Sequence, residues 1–141
     1  MKEEQRTFVA IKPDGVKRGI IGQVIERFEK KGFKIVAMKL LQVTPELAAK
    51  HYEEHIGRPY YGELETFMTS GPIVAMVLAG EGAIAKVREI NGKTEPAEAA
   101  EGTIRKLYAA SKGENAVHAS DSPESAAREI HIFFNETEIF D

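Results

Sequence analysis

The chain has 141 residues, 43% of them hydrophobic, a net charge of −3 and no cysteine. That length suits one domain, 1–141, with a core of its own. The composition excludes a disulfide framework, a thiol nucleophile and a cysteine-built metal site, and the acidic balance disfavours binding to duplex nucleic acid through its phosphates.

Met1 to Arg6 is charged and leads into no apolar segment of signal-peptide type, which fits a cytoplasmic protein. Thr7 to Ile11 is a compact β-type run, closed by Lys12-Pro13-Asp14-Gly15. Ile20, Ile21, Val24, Ile25 and Phe28 fall on one helical face, with Gly32 just past its end. Phe33 to Val43 reads as a long strand. Thr44-Pro45-Glu46 opens a helix, with Thr as N-cap and Pro at the first position; it is expected to run to about His55. A second helix over Tyr60 to Met68 is broken by Ser70-Gly71-Pro72. Ile73 to Ala79 is apolar throughout, as a central strand is, and far too short to span a bilayer. Ala83, Ile84, Val87 and Ile90 suit a helix ending at Asn91-Gly92. Lys93 to Gly113 follows as a long, polar, mostly irregular stretch, the kind of loop that binds a ligand or is held by a partner subunit. Ser122-Pro123-Glu124 starts a last short helix, and Glu129 to Phe134 reads as the closing strand.

This order predicts a ferredoxin-like α+β sandwich of the α/β type, a four-stranded antiparallel sheet with helices on one face. There is no internal repeat, low-complexity segment or linker.

The chemistry concentrates in Asn115-Ala116-Val117-His118-Ala119-Ser120-Asp121-Ser122. A neutral imidazole is a good nucleophile near pH 7, and a phosphoryl group carried on it stays transferable. The octapeptide alone fits equally well a surface histidine capping a turn. Lys12, placed where a strand ends, is a good point charge for a terminal phosphate, or else an edge lysine that snorkels to water. Arg105 offers a planar fork for bidentate phosphate contact. Arg88 lies on a helix with an apolar face and is open to the same use or to plain solvation. His51, His55 and His131 read as structural or solvated, with no spacing that argues for a metal site made by protein alone.

These segments together resemble the nucleoside diphosphate kinase family. The resemblance runs from Arg6 to about Phe134. It is carried by Thr7 to Gly15, His55-Ile56-Gly57-Arg58-Pro59-Tyr60-Tyr61, Met68-Thr69-Ser70-Gly71-Pro72, Gly102-Thr103-Ile104-Arg105, and Asn115 to Ser122 followed by Glu124-Ser125-Ala126. The resemblance implies a ferredoxin-like fold and a homo-oligomer, a hexamer ahead of a tetramer. It implies a Mg2+-bound nucleotide substrate and two-step transfer of the terminal phosphate, usually of ATP, through phosphohistidine. No membrane or nucleic-acid partner is required. By similarity, His118 is the nucleophile, Glu129 its orienting carboxylate, and Ser120 a donor to that carboxylate or to the moving oxygens. Tyr52 would place a hydroxyl near the transferring phosphate. Arg88, Thr94 and Arg105 would hold the inner phosphates, and Asn115 with Lys12 the ribose. Tyr60 would stack on the base, with Leu64 extending the apolar floor and Lys112 against the other face. Asp121 would hold a water of the Mg2+ shell; no protein group is expected to ligate the metal directly.

The chain departs from the family pattern at Tyr60, where Phe is usual, at Glu95, where Asn is common, at Leu107, where an acidic residue is usual, at Lys112, and at Ala119, where Gly is frequent. Two other readings remain at this stage: a catalytically silent nucleotide-binding oligomer, since one fold hosts many functions, and a nucleic-acid binder using its aromatic and arginine residues.

Overall fold

The computed structural model describes residues 4–110 and 115–140. Strands β1 (Glu4–Ile11), β2 (Lys34–Gln42), β3 (Pro72–Glu81) and β4 (Val117–Ala119) form one sheet in the order β2-β3-β1-β4, every neighbouring pair antiparallel. Helices α1 (Pro13–Lys17), α2 (Ile21–Lys30), α3 (Pro45–His51), α4 (Tyr61–Met68), α5 (Ala83–Asn91), α6 (Ile104–Tyr108) and α7 (Pro123–Phe133) surround it. No helix among the described residues is long and apolar enough to cross a membrane.

The sheet is antiparallel and four-stranded, as the sequence predicts, but helices cover both of its faces instead of one. β1 and β3 are the central strands and are apolar at consecutive positions, so each face has its own layer to bury. Phe8, Ala10, Ile73, Ala75 and Val77 point to one side, where Ala48, Met68, Ile130 and Phe133 from α3, α4 and α7 close over them. Val9, Ile11, Val74, Met76 and Leu78 point to the other, under Val24, Phe28, Val87 and Ile104 from α2, α5 and α6. Each fully buried Phe, Ile or Leu here contributes roughly 1.5–3 kcal/mol.

A second correction concerns the C-terminal third. Glu129 to Phe134 is not a strand: α7 runs through it. Ser122 Oγ accepts from the Ser125 amide and Pro123 takes the first turn, and Ala126, Glu129, Ile130 and Phe133 then recur at helical spacing on the buried side. The fourth strand is instead the three-residue β4, which carries His118. Two smaller differences follow from local capping. The helix begun at Thr44, whose hydroxyl accepts from the Leu47 amide at 3.1 Å, stops at His51, and a separate 3-10 turn covers Glu53–His55. The polar stretch after Asn91 contains α6, capped by Thr103, so Arg105 sits on a helix.

Candidate active site

β4 lies beside β1 with His118 opposite Ala10. Opposed residues of an antiparallel pair share a face, so His118 joins Phe8 and Ala10 on the side that α7 covers. Glu129, on the buried stripe of α7, meets it there. Its Oε1 lies 3.0 Å from His118 Nε2 and accepts a 2.7 Å hydrogen bond from Ser120 Oγ. Burial pushes the Glu129 carboxyl up, but the bonds from His118 and Ser120 and the nearby imidazoles hold it below the usual range. An ionised carboxylate only accepts hydrogen bonds, so it selects the tautomer with the proton on Nε2. Nδ1 is left with its lone pair, on a ring whose side chain is 22% exposed.

Cations line the same cavity as this imidazole. Lys12 follows β1 and is almost fully buried; its Nζ donates to Asn115 Oδ1 at 2.9 Å. Burial first, then the charge of Arg105, brings its ammonium down to about 8, with Asp14 acting the other way. The residues after it form a dock for the segment leading to His118. The Lys12 amide donates to Ala116 O at 2.8 Å, and Asp14 Oδ2 accepts from the Ala116 amide at 3.0 Å. A Cβ at Gly15 would stand 2.8 Å from Ile11 Cγ2 and 3.0 Å from Ala116 O, so only glycine fits. Ala116 itself has φ +71°, a strained value for a residue with a side chain. Arg105 donates to Gly92 O at 2.7 Å and to Val117 O at 2.8 Å, tying the α5 terminus to β4. Burial, then the neighbouring Arg88, lowers its guanidinium to about 10. Arg88 Nη1 donates to Ala119 O at 3.4 Å, a long contact. Glu95 caps the 3-10 turn Pro96–Glu98 by accepting from the Ala97 amide, which gives that departure from the family pattern a local use.

One cavity brings together Lys12, Tyr52, Arg88, Thr94, Arg105, Asn115, His118, Asp121 and Glu129. Ser120 is fully buried behind its wall. Tyr60 and Leu64 are not part of that wall. Tyr60 stands 47% exposed at the start of α4, and Leu64 packs against the apolar layer beneath the sheet. Lys112 lies outside the described residues. A wider cleft beside Pro13, Arg18, Phe67 and Pro72 has no imidazole in its lining.

The cavity also contains Glu54 and Arg128, which the sequence did not single out, Ser125 from the motif after His118, and His51 and His55, which the sequence reads as structural or solvated but which line this wall. His51 is buried edge-on to His118, with centroids 4.8 Å apart, and also touches Phe8, Tyr52 and Phe133. Burial, with smaller help from His118, lowers it to about 3, so it is neutral at pH 7. Nothing in its spacing distinguishes it from a core histidine. Arg128 donates to the carbonyls of Lys50 and His51, clipping the end of α3 to α7. Tyr52 Oη is buried with no partner among the described residues, and burial, reinforced by Glu129, raises its hydroxyl well above the usual range.

An imidazole whose Nε2 is engaged by Glu129, in one cavity with Lys12, Arg88, Arg105 and Arg128 and with a buried hydroxyl that has no partner among the described residues, makes a site suited to receiving a phosphoryl group. Comparison with known proteins narrows the class. Residues 5–139 match the model of the nucleoside diphosphate kinase family. The nucleoside diphosphate kinase of Methanocaldococcus jannaschii is 58% identical over 138 residues, 98% of this chain and 99% of that protein. That of Carboxydothermus hydrogenoformans is 55% identical, over 96% of this chain and 91% of that one. Among solved structures, the Aquifex aeolicus nucleoside diphosphate kinase superposes with a TM-score of 0.95 at 47% identity, covering 97% of this chain and 99% of that one. The Halobacterium salinarum nucleoside diphosphate kinase, solved in complex with CDP, gives 0.95 at 44% identity, covering 99% and 93%. The chain belongs to the nucleoside diphosphate kinase family. It is an enzyme, a phosphotransferase working between nucleotides.

Proposed function

We propose that the enzyme takes the terminal phosphate of a nucleoside triphosphate, usually ATP, onto Nδ1 of His118 and returns it to a nucleoside diphosphate in the same pocket. The Nδ1 lone pair forms the N–P bond as the bridging P–O bond breaks. The leaving diphosphate keeps that electron pair, and the second half-reaction reverses the step. The observation that carries this reading is the Ser120–Glu129–His118 chain, which occupies Nε2 and leaves Nδ1 free.

Phosphoryl transfer depends mainly on positioning and charge neutralisation. Lys12 supplies a desolvated charge, Arg88 and Arg105 with Thr94 the inner-phosphate contacts, and Asn115 with Lys12 the ribose contact. Tyr52, kept neutral, offers a donor to the moving phosphate, whose oxygen would satisfy its buried hydroxyl. Tyr60 presents a π-face to the base, with Leu64 one turn on and Lys112 assigned to the opposite face; a π-face accepts any base.

The residues also fit a Mg2+ ion carried by the nucleotide. Asp121 lines the cavity, and a hydrogen bond from Ser125, with the charge of Arg88, holds its carboxyl below the usual range. It would hold that ion through water. His51, His118 and Glu129 have ligand atoms within 4.8 Å of one another, but a pair of imidazoles suits softer ions than Mg2+. Bound Mg2+ would neutralise charge on the phosphates. We further propose a single domain over 1–141 that assembles as a homo-oligomer in the cytoplasm, a hexamer ahead of a tetramer. The exposed Met38 and Leu40 on edge strand β2 support the assembly.

Initial-rate kinetics test the mechanism. One pocket with a covalent intermediate requires parallel double-reciprocal lines at several fixed acceptor concentrations. Intersecting lines would mean that donor and acceptor are bound together, and would contradict it.

A further inference from the structure

Tyr60 is joined to the nucleophile by an unbroken series of edge-on rings. Tyr60 and His55 have centroids 5.6 Å apart, His55 and Tyr52 5.9 Å, Tyr52 and His51 4.4 Å, and His51 and His118 4.8 Å. At its outer end the series is fixed by a polar contact, with Tyr60 Oη 2.6 Å from His55 Nδ1. Tight turns hold the two residues in place: the His55 amide bonds Tyr52 O, the Arg58 amide bonds His55 O, and the Tyr61 amide bonds Arg58 O, with Gly57 at φ +88° between them.

We propose that His55 is a positioning residue for the base: its Nδ1 accepts a hydrogen bond from the Tyr60 hydroxyl and holds that ring in the orientation in which it stacks on the nucleotide. This rests on the reading of Tyr60 as the base platform. An exposed tyrosine samples several rotamers, and fixing one on ligand binding has an entropic cost. A ring already held by a half-buried neighbour has lost that freedom beforehand. The phenolic oxygen makes the arrangement available, since a phenylalanine at position 60 has no group to offer His55. The same bond makes Nε2 the protonated nitrogen of the His55 ring, which lines the cavity wall.

The test is a double-mutant cycle on the full-length enzyme, read as KM and kcat for ADP, GDP, CDP and UDP. Tyr60→Phe and His55→Ala should each raise KM about 3-fold for all four, a small net hydrogen-bond effect, with kcat unchanged. The double variant should be no worse than either single one, because both remove the same contact. Nitrogen-15 NMR of His55 should show the Nε2–H tautomer in the wild type and a shift towards mixed tautomers in Tyr60→Phe. Unchanged KM in Tyr60→Phe, or an additive loss of about 9-fold in the double variant, would overturn the proposal. A change confined to one base would also overturn it, since the hydroxyl would then be reading a base edge. Tyr60→Ala separates the two readings: if it leaves KM unaltered, base stacking itself is wrong, whatever His55 does.

Discussion

On one face of the sheet, Val9, Ile11, Val74, Met76 and Leu78 meet α2, α5 and α6 in a nearly continuous apolar layer. On the other, Phe8 and Ala10 share their layer with His51, His118 and Glu129. The strands are the same; what differs is what the helices bring. α7 places a carboxylate on its buried stripe, and α3 ends in His51 and Tyr52 just where β4, only three residues long, leaves the sheet narrow. Polar groups are tolerated there because they satisfy one another or face the cavity. The apolar face has an exception that teaches the same rule. Asn91 follows Ala83 and Val87 on the inner stripe of α5, is fully buried, and both its amide atoms lack a partner among the described residues.

Changes on the two faces should therefore separate chemistry from stability. The largest effect belongs to Glu129→Gln. It keeps the side chain's shape but not the ionised acceptor that selects the tautomer, so kcat should fall about 10- to 1000-fold with nucleotide KM nearly unchanged. A rise in KM at constant kcat would make Glu129 a binding residue and erase the contrast.

Next comes pH. Lys12 binds phosphate in its charged form, and burial with Arg105 places its free-enzyme value at about 8. Below that pH the ammonium is present; above it the charge is lost, so kcat/KM should decline towards tenfold per pH unit on the alkaline side. A profile level to pH 10 would remove Lys12 from the phosphate contacts.

The smallest effect is expected on the apolar face. Asn91→Leu removes two unpaired buried polar atoms and should stabilise by about 1 kcal/mol, raising Tm by roughly 3 °C, with kcat unaltered. Destabilisation would show that Asn91 has a partner, such as a buried water.

Much of this was legible in the sequence. The apolar run of β3, the one-sided pattern of α2 and the Thr-Pro start of α3 each announced their element. His118, Lys12 and Arg105, singled out because few residue types suit phosphate chemistry, do come together in one cavity. β4 was not legible, since three residues carry no periodicity. Ile130-His131-Ile132-Phe133 alternates like a strand, and the Ser122 cap with helical packing overrode that local signal. The apolar character of β1 and β3 pointed to cover on both faces, which the one-faced expectation missed. The left-handed turn at Ala116 had no signal, because alanine does not advertise it. His51 and Arg128 enter the site only through tertiary packing.

The central claim is that His118 carries the phosphate, and mass spectrometry of the protein after incubation with Mg-ATP tests it most directly. The account predicts one added phosphate, on His118, acid-labile and alkali-stable, and none in His118→Ala. Label on a serine, or an active wild-type enzyme that never acquires phosphate at His118, would contradict it.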